Sequence, residues 1–404
     1  MEFRKEIVSD SSELPYMGLE NIESNTGFYV PSTGEKESFN SALRFEIGDI
    51  LFPKLRPYLN KVHLAEFKGV CSTEFHVLKG KDLNNLYLFT FLNSKLVVNQ
   101  TSCLMTGNTL PRLQPRDVQR LPILLPPPNI QNHIANFIRF AYAQKKQKEQ
   151  EADVLLDSID NYVLAELEIE IPQQKENSIE NRVFTTTLSE VSGRRFDPEI
   201  YYQVYSLHTK LYPMERFGDC VLINPSTSFY GYESDTSITF VPMEKVSAEY
   251  GEADLSLCKI VAGSKGYTRF RDNDLIWAKI TPCMENGKSA VVDNLETGIG
   301  CGSTEFHVFR SLEGINIHYI HALLRLRSLR EHAALHFTGS AGQQRVSSEF
   351  FKKLIIPKPS IEKQTEIADY ITNACNRAKQ LQQEADAIVK QATERVEQIL
   401  LAEA

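Results

Sequence analysis

Residues 44–61 read RFEIGDILFPKLRPYLNK, and residues 269–288 read RFRDNDLIWAKITPCMENGK. The second stretch is a diverged copy of the first. Asp49 answers to Asp274, Lys54 to Lys279 and Pro57 to Pro282, each 225 positions apart. Downstream, CSTEFHVL at 71–78 returns as CGSTEFHVF at 301–309, with Ser72 mapping onto Ser303 and Val77 onto Val308 at an offset of 231. Thr106-Gly107 returns as Thr338-Gly339 at 232, and Gln131 and Ile134 return as Gln364 and Ile367 at 233. Four collinear blocks with a slowly drifting offset mark a duplicated unit with small loop insertions.

Each copy has two parts. The first reads as short strands and turns: Ile50-Leu51-Phe52 and Leu275-Ile276-Trp277 are apolar runs entered through an Asp, and the STEFHV blocks alternate as half-buried strands do. Helical spacing is predicted at 85–98 and 315–333. The second part follows a proline cluster, Pro126-Pro127-Pro128 or Pro357-Lys358-Pro359, which holds the chain extended. A long helix then follows. In the second copy Ile367, Ile371, Ala374, Ala378, Leu381, Ala385, Ile388 and Ala392 alternate spacings of four and three, a heptad seam, with Val396 and Ile399 continuing it after a stutter. The same phase in the first copy gives Ile134, Ile138, Ala141, Lys145, Lys148, Ala152, Leu155, Ile159 and Val163. A helix this long with a narrow apolar stripe needs a partner, and the other copy offers one. Lys145 and Lys148 interrupt the first seam and are expected to be solvated or to face another protein.

The predicted boundaries are a first domain at 1–128, a helix at 129–171, a polar linker at 172–185, a second domain at 186–361 and a second helix at 362–404. The second copy carries about 40 residues, 185–224, ahead of FVPMEKV at 240–246, whereas the matching YMGLENI of the first copy sits at 16–22. The first domain is therefore expected to lack its opening segment.

Bulk properties agree with a two-domain soluble chain. There are 404 residues, 42% hydrophobic and 24% charged. Seven cysteines, at 71, 103, 220, 258, 283, 301 and 375, form no CxxC pair and have no metal spacing. Residues 1–30 hold no signal-peptide core, and no apolar run reaches membrane-spanning length. A net charge of −8 counts against a non-specific nucleic-acid binder, though not against a local basic face.

The order recognition domain, proline-led helix, recognition domain, proline-led helix, together with GDILFPKLRPYLNK, STEFHV and the proline-to-glutamine spacing of Leu354–Ile367, resembles the specificity subunit of type I restriction-modification systems. Arg195-Phe196-Asp197-Pro198-Glu199-Ile200-Tyr201-Tyr202 also resembles the opening of such a second half. The resemblance implies an α+β fold: two target recognition domains joined by two long antiparallel coiled-coil helices, with pseudo-two-fold symmetry. It implies a cytoplasmic prokaryotic DNA-reading subunit that recognises a bipartite double-stranded site. Two adenine methyltransferase subunits per chain would dock on the helices, with restriction or motor subunits beyond them, and no membrane would be involved. S-adenosylmethionine, ATP and Mg would reside on those partners, and this chain would bind none of them. Two alternatives remain: the specificity subunit of another bipartite, type IIB-like methylation system, and a duplicated protein-interaction scaffold without DNA binding.

The chain carries none of the loops that catalysis would need. No [D/N/S]-P-P-[Y/F/W] segment exists to hold a flipped adenine, and no Walker-type phosphate loop exists. Asp49 with Glu66-Phe67-Lys68 matches a nuclease spacing formally, but the second copy keeps only Asp274. His76, His307, Glu74 and Glu305 recur because the whole strand recurs, and read as structural. Basic residues are the positive signal, and one rule sorts them. A residue present in both copies serves the fold or the phosphates, which carry no sequence information, whereas one that differs is the better candidate for a base edge. Lys54, Arg56, Lys61, Lys279 and Lys288 are therefore the phosphate candidates. Asn108, Arg112, Gln343, Gln344 and Arg345 are the base candidates, since Asn and Gln suit adenine and Arg suits guanine. Helix pairing is assigned to Ile134, Ile138, Leu155, Ile159, Ile367, Ile371, Leu381 and Ile388.

Overall fold

The computed structural model describes residues 2–8, 14–31, 41–105, 111–172, 178–183, 185, 187–188, 205–340 and 342–402. The chain divides into two compact units, Met1–Ala152 with Lys379–Ala404, and Asp153–Ala378. Of the expected linker, 173–177 and 184 fall outside the described residues, as does the segment 195–202; Ile179–Arg182 form a single helical turn.

In the first unit one sheet runs β1 (Glu2–Arg4), β8 (Phe75–Lys79), β5 (Ile50–Pro53), β6 (His63–Leu64). A second runs β2 (Ile7–Val8), β4 (Ala42–Phe45), β7 (Gly69–Ser72), β3 (Tyr16–Met17). In the second unit the corresponding sheet runs β10 (Val221–Ile223), β17 (Phe306–Ser311), β14 (Asp274–Ala278), β15 (Ser289–Val292), in the same order. Its other sheet runs β13 (Thr268–Arg271), β16 (Ile299–Gly302), β11 (Ser237–Val241), β12 (Cys258–Ile260). The shared part is β4-β7-β3 against β13-β16-β11, and in both units the last two strands of that trio pair parallel. β1 stands where β10 stands, so part of the opening expected to be missing from the first domain is supplied by Glu2–Arg4.

The STEFHV reading needs correction. Ser72 ends one strand and Phe75 begins the next, with Thr73-Glu74 as the turn between them. Phe75, His76, Val77 and Leu78 are all buried, because β8 is a central strand with a core cluster on each face. The helical segments also break in two, Asn85–Leu92 with Lys95–Leu104, and Ile317–Arg325 with Arg327–Leu335. Asn84 and Asn316 cap the first helix of each pair through their side-chain oxygens.

The repeated residues recur because they make the same bonds twice. The Gln131 side chain donates to Pro126 O at 2.8 Å and accepts from Asn84 N; Gln364 donates to Pro359 O at 2.9 Å and accepts from Asn316 N. Tyr87 Oη donates to Leu124 O, and Tyr319 Oη to Pro357 O. Asp49 and Asp274, buried at the strand entries, accept from the backbone N–H three residues earlier and from Arg4 and Arg310 respectively. Such fully engaged carboxylates fit the strand-entry reading.

The long helices are Pro128–Glu166 and Ile361–Ala402. Within the first unit the start of one packs against the end of the other. Ile134, Ile138 and Ala141 share a core with Ala392, Val396 and Leu400, and rising numbers on one helix meet falling numbers on the other, so the pair is antiparallel. Within the second unit Ile159 and Val163 join Ile367 and Ile371, and the Tyr162 and Tyr370 rings stack at 3.6 Å between centroids. Each fully buried Ile, Val or Leu among them contributes about 1.5–3 kcal/mol, and each Ala less. Leu155 is half-buried, and Leu381 is buried. The stripe follows Ala385, Val389, Ala392, Val396, Leu400, leaving Ile388 and Ile399 half-buried at its flank. The stutter thus falls after Ala385, earlier than the sequence spacing placed it.

Lys145 and Lys148 are not solvated interruptions. Lys145 is buried and its Nζ meets Glu149 at 2.9 Å and Asp386 at 3.1 Å, while Lys148 meets Glu384 at 2.5 Å. Burial alone would lower the Lys145 ammonium, but the two carboxylates outweigh it and hold the group above its ordinary value. A polar pair inside a helix seam fixes its register.

Candidate nucleic-acid interface

Three segments are stitched together identically in each unit. In the first, Lys54 N donates to Glu74 O, Leu113 N donates to Lys54 O, and His76 Nε2 donates to Leu113 O. In the second, Lys279 N donates to Glu305 O, Val346 N donates to Lys279 O, and His307 Nε2 donates to Val346 O. This places one Lys, one Glu and one Arg side by side at the sheet's end. Arg112 grips Glu74 with two bonds of 2.9 Å, and Arg345 grips Glu305 with two of 2.8 Å. Both arginines stay partly exposed, at 44% and 38% of their side chains.

The electrostatics follow from these neighbours. The bidentate guanidinium holds each carboxyl below its ordinary range. Burial pushes both His76 and His307 down to about 4, so both rings are neutral near pH 7. Burial also lowers the Lys54 ammonium, which donates to Thr73 O at 2.6 Å.

Arg112 and Arg345 are therefore structural counterparts. They lie 233 positions apart and make the same pair, which removes the ground for reading them as residues that differ between copies. By the rule that sorted them they belong with the shared residues. Lys61 and Lys288 are shared too, and both are engaged within their own domain: Nζ of Lys61 donates to Leu19 O, and Nζ of Lys288 to Met243 O, at equivalent backbone positions. Arg56 is exposed in a left-handed turn at φ 48°, held by its N–H on Pro111 O; Thr281 stands in its place and makes the matching bond to Gln344 O. Gln343 is exposed, and its carbonyl accepts from Arg345. Gln344 is half-buried where the first unit has Pro111. Asn108 lies outside the described residues.

The sequence reading missed an aromatic and basic group on the outer face of β12-β11-β16-β13. Lys259 Nζ lies 4.6 Å from the Phe240 ring centre and 4.9 Å from that of Tyr267, and the Arg269 guanidinium lies 4.3 Å from that of Phe229. Tyr230, next in sequence to Phe229, is 96% exposed. In the first unit the counterpart of Arg269 is Arg44, which pairs with Glu6 and Glu46 instead. The available signal was the interleaving of aromatic and basic residues between 229 and 271. Among the described residues no group of His, Cys, Asp and Glu could hold a metal ion, and no helix is long and apolar enough to cross a membrane.

A fold of two such units, each opening into a proline-led long helix, defines a class. The family model for the type I restriction modification DNA specificity domain matches residues 3–152 and 233–390, and the chain belongs to this family. It is 36% identical over 165 residues to the type I restriction enzyme EcoAI specificity subunit of Escherichia coli, a match covering 40% of this chain and 28% of that protein. It is 35% identical over 170 residues to the EcoEI specificity subunit of the same organism, covering 42% and 28%. The matches thus span little more than a quarter of these relatives' length. A solved chain described under "Structural basis underlying complex assembly and conformational transition of the type I R-M system" shares the fold. It does so with a TM-score of 0.53 at 17% identity, covering 98% of this chain and 91% of that one.

Proposed function

We propose that this chain is the DNA sequence-recognition subunit of a type I restriction-modification complex. It reads a bipartite double-stranded site, one half per unit, and positions adenine methyltransferase and restriction or translocase subunits. One observation carries the reading: the Lys-Glu-Arg-His framework is built twice, while the residues beside it differ. A repeated framework with divergent neighbours suits two readings of two different half-sites. Catalysis, S-adenosylmethionine, ATP and Mg belong to the partner subunits, two methyltransferases per chain docking on the long helices, in the cytoplasm of a prokaryotic cell.

Within this reading the shared Lys54, Lys279, Arg112 and Arg345 serve the framework and the phosphates. Arg56 is an unshared cation beside them. Asn108, Gln343 and Gln344 are the candidates for base edges, and adenine suits their amides. Lys61 and Lys288 work inside the fold. The test is binding of the methyltransferase-loaded complex to DNA across a salt series. Lys279→Ala weakens binding about equally on all sequences and lowers the salt slope by roughly one. Gln343→Ala with Gln344→Ala instead relaxes preference in one half-site, at about 1–3 kcal/mol for each base edge that is no longer read. Equal losses from both changes on every sequence contradict the assignment.

A further inference from the structure

The aromatic and basic face of β12-β11-β16-β13 has a defined layout. Phe240 on β11 and Arg269 on β13 both stand opposite Cys301 on β16, so the three form one row across the sheet. Lys259 stands opposite Ile238, two residues before Phe240, and Arg271 follows Arg269 by two. Side chains alternate along a strand, so both cations leave the same face as the row, from the two edge strands. Arg271 is exposed, and Lys259 and Arg269 are half-buried. Lys259 and Arg269 rest on aromatic rings, and none of the three meets a carboxylate among the described residues. Glu233 and Asp235, on the loop ahead of β11, pair with none of them.

The first unit neutralises the same place. At the offset of 225 the counterparts of Arg269 and Arg271 are Arg44 and Glu46. Arg44 meets Glu46 at 3.1 Å and Glu6 at 3.3 Å. One exchange, Glu46 against Arg271, thus turns an ion pair into two like charges on one strand. A carboxylate partner must be displaced before a cation can hold another anion. An aromatic ring leaves the charge intact, and a guanidinium stacked on a ring keeps its edge N–H groups for a phosphate. In Arg269 one of these groups is spent on Ser264 Oγ at 3.3 Å.

The face also continues the Lys-Glu-Arg framework. β16 leads through Ser303-Thr304 into Glu305, which Arg345 grips beside Lys279. Thr268 pairs with Gly302 and Arg271 with Ile299. The cations therefore extend from the framework back along the sheet, over roughly 10 Å.

We propose that Lys259, Arg269 and Arg271 form a phosphate-binding surface for the backbone of duplex DNA, built in the second unit and replaced by ion pairs in the first. This rests on the proposed DNA-reading function and adds an asymmetry to it. The second unit supplies a grip that carries no sequence information, and the first relies on its framework. Duplex DNA fits this face better than an acidic polypeptide, because the cations form one tract with the framework that the same function sets against phosphates.

The test measures binding of the methyltransferase-loaded complex across a salt series, on a duplex that it prefers and on a scrambled one. Arg271→Glu gives the second unit the ion pair of the first: it removes one cation and neutralises Arg269. The salt slope is expected to fall by roughly two, alike on both duplexes, with site preference unchanged. Lys259→Ala lowers the slope by roughly one. Glu46→Arg, the reverse exchange in the first unit, raises it. Unchanged thermal unfolding of the variants shows that the chain still folds. A complex that binds DNA with a slope unmoved by Arg271→Glu and Lys259→Ala overturns this inference and leaves the proposed function standing. A parent complex that binds no DNA overturns both. Loss of methyltransferase co-purification on Arg271→Glu, with no change of slope in the complex that remains, gives the face to a partner protein and also overturns the inference.

Discussion

The two units spend the same chemistry differently at corresponding places. Asp274 is fully buried and takes both nitrogens of Arg310, itself only 12% exposed, from the neighbouring central strand. Asp49 is served by Arg4, 29% exposed, from the edge strand β1. The Ile355–Pro357 edge is closed by an antiparallel strand, Met214–Arg216, and the corresponding edge at Leu121–Leu125 is not, among the described residues. The outer face that carries stacked cations in one unit carries ion pairs in the other. Duplication has thus kept the bonds that join segments of a domain and released the surfaces around them. The proposed reading of two unlike half-sites with one framework requires that division.

The largest expected difference between the units concerns the buried aspartates. Asp274→Ala strands a nearly buried guanidinium and is expected to cost about 3–5 kcal/mol. Asp49→Ala leaves Arg4 with water to turn to and should cost about 1–3 kcal/mol. Denaturant unfolding of each variant measures this, and equal losses would break the comparison.

A second test asks where the units should agree. His76 and His307 both sit at about 4 when folded, against an ordinary 6.5. Their folded values are depressed, so the unfolded chain takes up the protons first. The stability due to the neutral rings is fully present above about pH 6.5 and is lost as pH falls toward 4. The total is about 3 kcal/mol per histidine. Unfolding midpoints measured across that range should fall, and His76→Gln and His307→Gln should each flatten the fall by a similar amount. A flat profile for the parent protein rules out the buried neutral rings.

The smallest expected effect belongs to the Arg-Glu pairs. They are partly exposed and screened by solvent, so Arg112→Ala and Arg345→Ala should each lower stability only slightly, and alike in the two units. A marked difference in thermal unfolding between them would show that the two arginines are not counterparts after all.

Much of this was legible in the sequence. Asp49, His76, Gln131 and their partners recur because each satisfies a local backbone group, and such bonds tolerate little change of residue type. The heptads showed the helices, but Ile388 and Val389 are both apolar, so spacing alone could not say which faces inward. Lys145 looked like a break because its partner across the pair, Asp386, becomes visible only once the helices are aligned antiparallel. The Arg112 and Arg345 equivalence was hidden by its neighbours: Leu110-Pro111 against Gln343-Gln344 gives no local identity, and the offset had drifted from 225 to 233.

Under the proposed function, two copies of one framework read two different half-sites. Random duplexes retained by the methyltransferase-loaded complex, once sequenced, test it directly. Two conserved blocks separated by a spacer of unconstrained sequence are expected, with Gln343→Ala and Gln344→Ala altering one block and leaving the other intact. A single block, no enrichment, or a change spread over both blocks would contradict it.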